Sequence, residues 1–306
     1  MIAGLIIPRN RFSRRSRLTS ANHKPQKLLN MLSINDHSRD SAGMKYVYPV
    51  ISRRARGVSV GINLNVNNAC NWACVYCQVP NLKRGGPAPI DLAQLEDELR
   101  HFLRDATTGD FLEKNAPPEA RRLVDIAFSG NGEPTSAAEF AETVDCAERV
   151  LREYDLLNLK LRLITNGSLM HRPQVQQGIA RIGQLDGEVW FKIDRASETG
   201  IEQINGIRLT PEKIREALIQ CAELAPTWIQ TCYFAFDGHE ADASEQSAYL
   251  ELIISLKEKI KGVHLYGLAR PSLQPEAGRL SSLTHENFLR FANNISSLGI
   301  QVVANP

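Results

Sequence analysis

Asn67-Asn68-Ala69-Cys70-Asn71-Trp72-Ala73-Cys74-Val75-Tyr76-Cys77 gathers three of the chain's six cysteines into eight residues, spaced C-x3-C-x2-C. No fourth cysteine or histidine lies beside them. A structural zinc site wants four protein ligands and is closed, whereas iron–sulfur clusters are held by cysteine thiolates, four when fully ligated. Three thiolates therefore suit a cubane [4Fe–4S] cluster with one iron left open to a substrate or cofactor. Two other readings stay open on these residues alone: zinc with a remote fourth ligand, and three reduced core cysteines.

Working outward, the triad sits just after a candidate strand, Val58–Asn65. Further candidate strands are Leu123–Ser129, Lys160–Asn166, Glu188–Asp194, Trp228–Phe236 and Val263–Arg270, with a short last one at Ile300–Ala304. Segments with helical spacing lie between them: Asp91–Leu103, Ala137–Tyr154, Gln174–Ile182, Pro211–Glu223, Ser244–Lys259 and His285–Ser297. Alternation of this kind signals βαβ units and a parallel sheet. Strands covered by helices on both faces read as continuous apolar runs, and these do not. Val58, Val60, Ile62 and Leu64 oppose Ser59, Gly61, Asn63 and Asn65, and Val189, Phe191 and Ile193 oppose Trp190, Lys192 and Asp194. Period two assigns each set to one face. The apolar face suits a shell of helices, and the polar face lines the lumen of a half-open barrel, with Asp125, Arg162, Gln230, His264, Tyr266 and Arg270 as further lumen candidates.

Active sites of β/α barrels gather at the C-terminal ends of the strands. Three polar motifs stand there: Ser129-Gly130-Asn131-Gly132-Glu133-Pro134-Thr135, Thr165-Asn166-Gly167-Ser168 and Lys192-Ile193-Asp194. Glycines let the backbone approach a ligand closely, and a carboxylate accepts a charge-assisted bond from an ammonium. A turn started by Pro134 and a mutual Lys192–Asp194 salt bridge are the structural alternatives. An Asp125–Arg162 pair across neighbouring strands is another.

The triad, with aromatic Tyr76 just before its last cysteine, resembles the hallmark of the radical S-adenosylmethionine (SAM) superfamily. Gly130-Asn131-Gly132-Glu133-Pro134 is similar to that family's Gly-Gly-Glu-Pro motif, with Asn131 departing from it. The resemblance spans Met44 to about Arg279. It implies a partial (β/α)6 barrel of the α/β class. It also implies Cys70, Cys74 and Cys77 as ligands of a [4Fe–4S] cluster whose fourth iron is chelated by SAM. An electron passed into SAM then yields methionine and a 5′-deoxyadenosyl radical, which abstracts hydrogen from a substrate. By the same resemblance Tyr76, Gly132, Glu133, Pro134, Asn166, Ser168, Lys192, Asp194 and Arg270 are cofactor-binding candidates, with Glu133 gripping the SAM amino group. An electron donor such as flavodoxin or ferredoxin is implied too. Gly-Asn-Gly-Glu-Pro-Thr, Ile-Thr-Asn-Gly-Ser and Leu-Ala-Arg-Pro look like a stand-alone subgroup similar to the catalytic part of wyosine-type tRNA-modifying synthases. Such a tRNA-modifying enzyme and a zinc-binding interaction module are the alternatives.

The remaining composition bounds these readings. Of 306 residues 43% are apolar, enough for a real core. No apolar run reaches the roughly 20 residues of a membrane span. Residues 1–43 hold eight Lys/Arg and two Asp, a charge of +6, so Met44–Pro306 carries −4 of the overall +2. An acidic body does not advertise nucleic-acid binding. The first 43 residues read as a disordered basic tail, a start assigned too early, or an Arg/Ser-rich targeting peptide, ahead of a 44–306 core domain with a short C-terminal extension. Clustered cysteines and no secretory leader point to the cytoplasm. The substrate has no signature; inward arginines favour a polar one with an anionic group, a peptide or RNA before a small metabolite.

Overall fold

A computed structural model describes residues 32–33, 43–52 and 56–306. The chain enters the sheet with β1 (Val47–Ser52), which pairs antiparallel with β2 (Gly57–Ile62). The cysteine segment follows and is pinned by a two-residue ladder of β3 (Ala69–Cys70) on β4 (Lys83–Arg84). The core then alternates: α1 (Leu92–Thr108), α2 (Phe111–Asn115), β5 (Leu123–Phe128), α3 (Phe140–Glu153), β6 (Lys160–Thr165), α4 (Pro173–Gln184) and β7 (Glu188–Lys192). It continues through α5 (Glu198–Asn205), α6 (Pro211–Leu224), β8 (Thr227–Cys232), β9 (Ala235–Phe236), α7 (Ala243–Ser255) and β10 (Val263–Tyr266). β11 (Leu280–Ser281) pairs with β9, and α8 (His285–Ser297) leads to β12 (Val302–Asn305).

The main sheet runs β1-β2-β5-β6-β7-β8-β10-β12, and every neighbouring pair after β1–β2 is parallel. The expected six-strand half-barrel is therefore present, from β2 to β10, and is extended by β1 at one edge and β12 at the other. After Arg279 the chain adds β11, α8 and β12, of which β12 extends the main sheet beside β10.

Period-two alternation resolves as expected. Ile126, Phe128, Leu161, Leu163, Val189 and Phe191 are buried on the outer face, in one core with the helices. α1 packs on α3, α3 on α4 and α4 on α6. Helix starts follow from local chemistry. Asp91, Thr210, Asp242 and Thr284 each accept an amide of the first turn, and Pro173 and Pro211 stand where a missing N–H costs nothing. The expected tail at residues 1–43 falls outside the described residues except for Leu32, Ser33 and Gly43. Leu32 is buried in the core and donates its amide to the Asn115 carbonyl at 2.7 Å.

Candidate functional site

The inner face of the sheet encloses a cavity of about 400 Å3 at the C-terminal strand ends, and Cys70, Cys74 and Cys77 all line it. The loop that carries them is docked on α5. Ala73 and Val75 donate their amides to the carbonyls of Asn205 and Ile204, the otherwise orphaned acceptors of that helix end. Arg84 ties the same parts together from outside, donating to the Asn71 and Gly206 carbonyls. Asn71 reaches across to the second polar motif, donating to Ser168 Oγ at 2.7 Å and accepting from Asn166 Nδ2 at 2.9 Å.

Sulfur environment separates the readings of the triad. Burial pushes the Cys70 thiol up to about 11 and the Cys74 thiol up to about 12. Any cation bound here must displace those protons. Among the described residues no three His, Cys, Asp or Glu side chains converge to hold one metal ion. A cubane places its thiolates on different irons, so its ligands stand apart where those of a zinc site converge. The Trp72 indole, 3% exposed and lining the same cavity, finds no hydrogen-bond partner for its Nε1 among the described residues. An unsatisfied buried N–H is costly and fits a loop that receives an acceptor-rich group. The orphaned indole donor suits a cluster with sulfide acceptors.

Glu133 lies in the cavity wall, 3% exposed, with its carboxyl raised above the ordinary range by burial. Oε1 accepts from the Thr135 amide (3.1 Å), Thr135 Oγ1 (2.7 Å) and Thr165 Oγ1 (2.6 Å), and Oε2 accepts from the Asn166 amide at 2.7 Å. The side chain thus clamps the Gly-Asn-Gly-Glu-Pro turn to the end of β6, and Oε2 keeps a further lone pair. Gly132 also lines the cavity, and a Cβ there would stand 2.1 Å from the Ala69 carbonyl, so a glycine is required where this turn meets the cysteine loop.

Tyr76, Asn166, Lys192 and Arg270 line the cavity, together with the lumen candidates Asp125, Arg162, Gln230 and Tyr266. Pro134, Ser168 and Asp194 do not. Pro134 is the buried first residue of a 3-10 turn, where its ring presets the backbone, and Ser168 is spent on Asn71 and Asn166. Asp194, 3% exposed, sits behind the cysteine loop and accepts from Tyr76 Oη (2.5 Å), Asn205 Nδ2 (2.8 Å) and the Cys232 amide (2.8 Å), with Lys192 Nζ 3.8 Å away. Burial works to lower the Lys192 ammonium, yet the charge of Asp194 and the neighbouring Tyr266 hold it above its ordinary value. Lys192 also donates to Tyr266 Oη at 3.0 Å.

The inward arginine of β6 is not available to an anion. Arg162 pairs with Asp125 and, at 2.7 Å, with Glu188, and lies 5.1 Å over the Trp190 ring. Asn63 and Asn65 likewise brace loops rather than line the cavity: Asn63 Oδ1 accepts the Asn65 and Asn131 amides, and Asn65 Nδ2 donates to the Ala69 carbonyl. His264 stacks on Trp228 at 4.5 Å and leans at 4.8 Å on Trp190, of which only Trp190 lines the cavity. Three residues that sequence reasoning passed over belong to this site: Arg84, Asn205 and Cys232, the last lining the cavity. Asn205 precedes Gly206, whose φ of 63° marks the helix end, and Asn-Gly reads in sequence as a turn only.

No family model matches the chain. Among curated proteins it is 26% identical over 165 residues to a UPF0026 protein of Helicobacter pylori, covering 51% of this chain and 48% of that one. It is 28% identical over 155 residues to the UPF0026 protein MJ1312 of Methanocaldococcus jannaschii, covering 48% and 43%. The chain thus spans about half the length of these relatives; for the UPF0026 protein slr1464 of Synechocystis the shares are 69% and 71% at 24% identity. Among solved structures, TYW1 with a lysine–pyruvate adduct bound superposes with a TM-score of 0.52 at 16% identity, over 79% of this chain and 74% of that one. A radical SAM methyltransferase from Sphaerobacter thermophilus gives 0.54 at 15% identity, over 85% and 68%. The partial barrel is the fold of these radical SAM enzymes.

Proposed function

We propose that the protein is a radical SAM enzyme. Cys70, Cys74 and Cys77 would hold three irons of a [4Fe–4S] cluster, and SAM would occupy the fourth iron and the cavity beside it. The observation that carries this reading is the placement of three half-buried thiols together on the wall of the cavity at the C-terminal strand ends of a parallel half-barrel. Bound there, the cluster and SAM supply a hydrogen-abstracting carbon radical. The chain's own part is to hold and shield: Glu133 Oε2 offers an acceptor for the SAM ammonium, and Tyr76, Asn166 and Trp190, the last backed by His264, shape the cavity wall. Of the Lys192–Asp194 pair beside the triad, the carboxylate works against the Cys74 thiolate and the ammonium favours it.

Anaerobic purification and reconstitution followed by iron, sulfide and zinc analysis tests this. Iron and sulfide near four per chain are expected, with loss on replacing any one of the three cysteines by serine. Stoichiometric zinc with no iron chromophore would overturn it.

A further inference from the structure

The donors that face the sulfur atoms separate one residue from the rest of the site. Asn205, the last residue of α5, is 2% exposed. Its amide nitrogen donates to Cys74 Sγ at 3.3 Å and to Asp194 Oδ2 at 2.8 Å. The amide is oriented rather than free to rotate. Its own carbonyl accepts the Ala73 amide through the backbone, and Asp194 is fixed in turn by Tyr76 Oη and the Cys232 amide. Another sulfur donor, the Trp72 amide to Cys70 Sγ at 3.4 Å, belongs to the backbone and is set by the loop. Asn205 reaches its sulfur from a different element, through a side chain.

We propose that Asn205 is a positioning residue that sets the reduction potential of the group held by Cys74, through its N–H···S bond, with Asp194 fixing the direction of that bond. This rests on the radical SAM reading above. Hydrogen bonds to the cysteine sulfurs are one of the levers by which a protein tunes an iron–sulfur cluster. Electron density on the thiolate rises when the cluster is reduced, so a donor there stabilises the reduced form more than the oxidised one. Removing it makes reduction harder.

Asn205→Leu removes the donor at similar size, and Asn205→Asp replaces it with an acceptor of the same shape. The midpoint potential is read by a reductive titration monitored by electron paramagnetic resonance on reconstituted protein, alongside iron content and a thermal melt. At the wild-type midpoint the reduced-to-oxidised ratio is expected to fall up to about tenfold in Asn205→Leu, or about 59 mV for a one-electron couple, and at least as far in Asn205→Asp. Iron content should stay at the wild-type level. Full iron loading with an unchanged potential in both variants would overturn the proposal. So would loss of the cluster from both with an unchanged melt, which would make Asn205 a clamp for the loop alone. Failure of the wild-type protein to take up a cluster is a different result, and would count against the radical SAM reading itself.

Discussion

The carboxylate of Glu133 accepts from two hydroxyls and two amides in a buried wall. Glu133→Gln keeps its shape but turns an amide nitrogen toward one of those donors. Leaving buried donors unpaired costs about 1–3 kcal/mol, so the variant should melt several degrees below the wild type. It should also bind SAM more weakly by equilibrium dialysis while its iron content holds. An unchanged melt would contradict the clamp, and an unchanged SAM affinity would leave Glu133 as a clamp only. Much of this site was legible in sequence, since cysteine spacing and polar strand ends declare themselves locally. The division of labour was not. Glu133 and Asp194 are both acidic residues at strand ends, and only the folded contacts show that one faces the cavity and the other anchors Tyr76 and Asn205 behind it. Asn205 lies 131 positions from Cys74 in sequence, and no local pattern links them.

Among the elements, the turn after β6 depends on Gly167, whose φ of 68° lies in the left-handed region and whose Cβ, if present, would stand 2.0 Å from the Phe191 ring. Gly167→Ala should cost about 1–2 kcal/mol from the backbone alone, with the clash in addition, and calorimetry should show a markedly lower melt. A wild-type melt would contradict this reading of the turn. The six inner strands were legible because a helix-covered outer face and a polar lumen impose period two on each. β1 was not, because Pro49 interrupts Val47–Ser52 and reads as a strand breaker; an edge strand tolerates a proline that a central one would not. α5 was missed because it has only eight residues with Gly200 inside. Its start comes from Ser197, which accepts the Gly200 amide. The strand readings also ran too long at their C-terminal ends, as in Val263–Arg270 against an observed β10 of Val263–Tyr266. Those ends leave the ladder to form the loops around the cavity.

Across the whole molecule, a buried Leu32 ties part of the basic N-terminal segment to the core. A chain starting at Met44 loses that contact, and burial of a leucine is worth about 1.5–3 kcal/mol. It should therefore melt lower than the full chain while taking up the same iron; loss of the iron site on this truncation would contradict the assignment of that site to the barrel. The barrel itself could be anticipated because one physical demand, a polar lumen inside an apolar shell, repeats in every strand. Substrate choice has no such repetition, and the pairing of Arg162 with Asp125 and Glu188 removes one of the two arginines that had pointed to an anion, leaving Arg270 in the cavity wall. The central claim is chemical: three cysteines hold a cluster that opens SAM. Its most direct test is to reduce the anaerobically reconstituted protein with dithionite in the presence of SAM and to quantify 5′-deoxyadenosine and methionine. Both products are expected in equal amounts and should vanish when Cys70, Cys74 or Cys77 is replaced by serine. A protein that carries its full complement of iron and sulfide, binds SAM and yet forms no 5′-deoxyadenosine would contradict it.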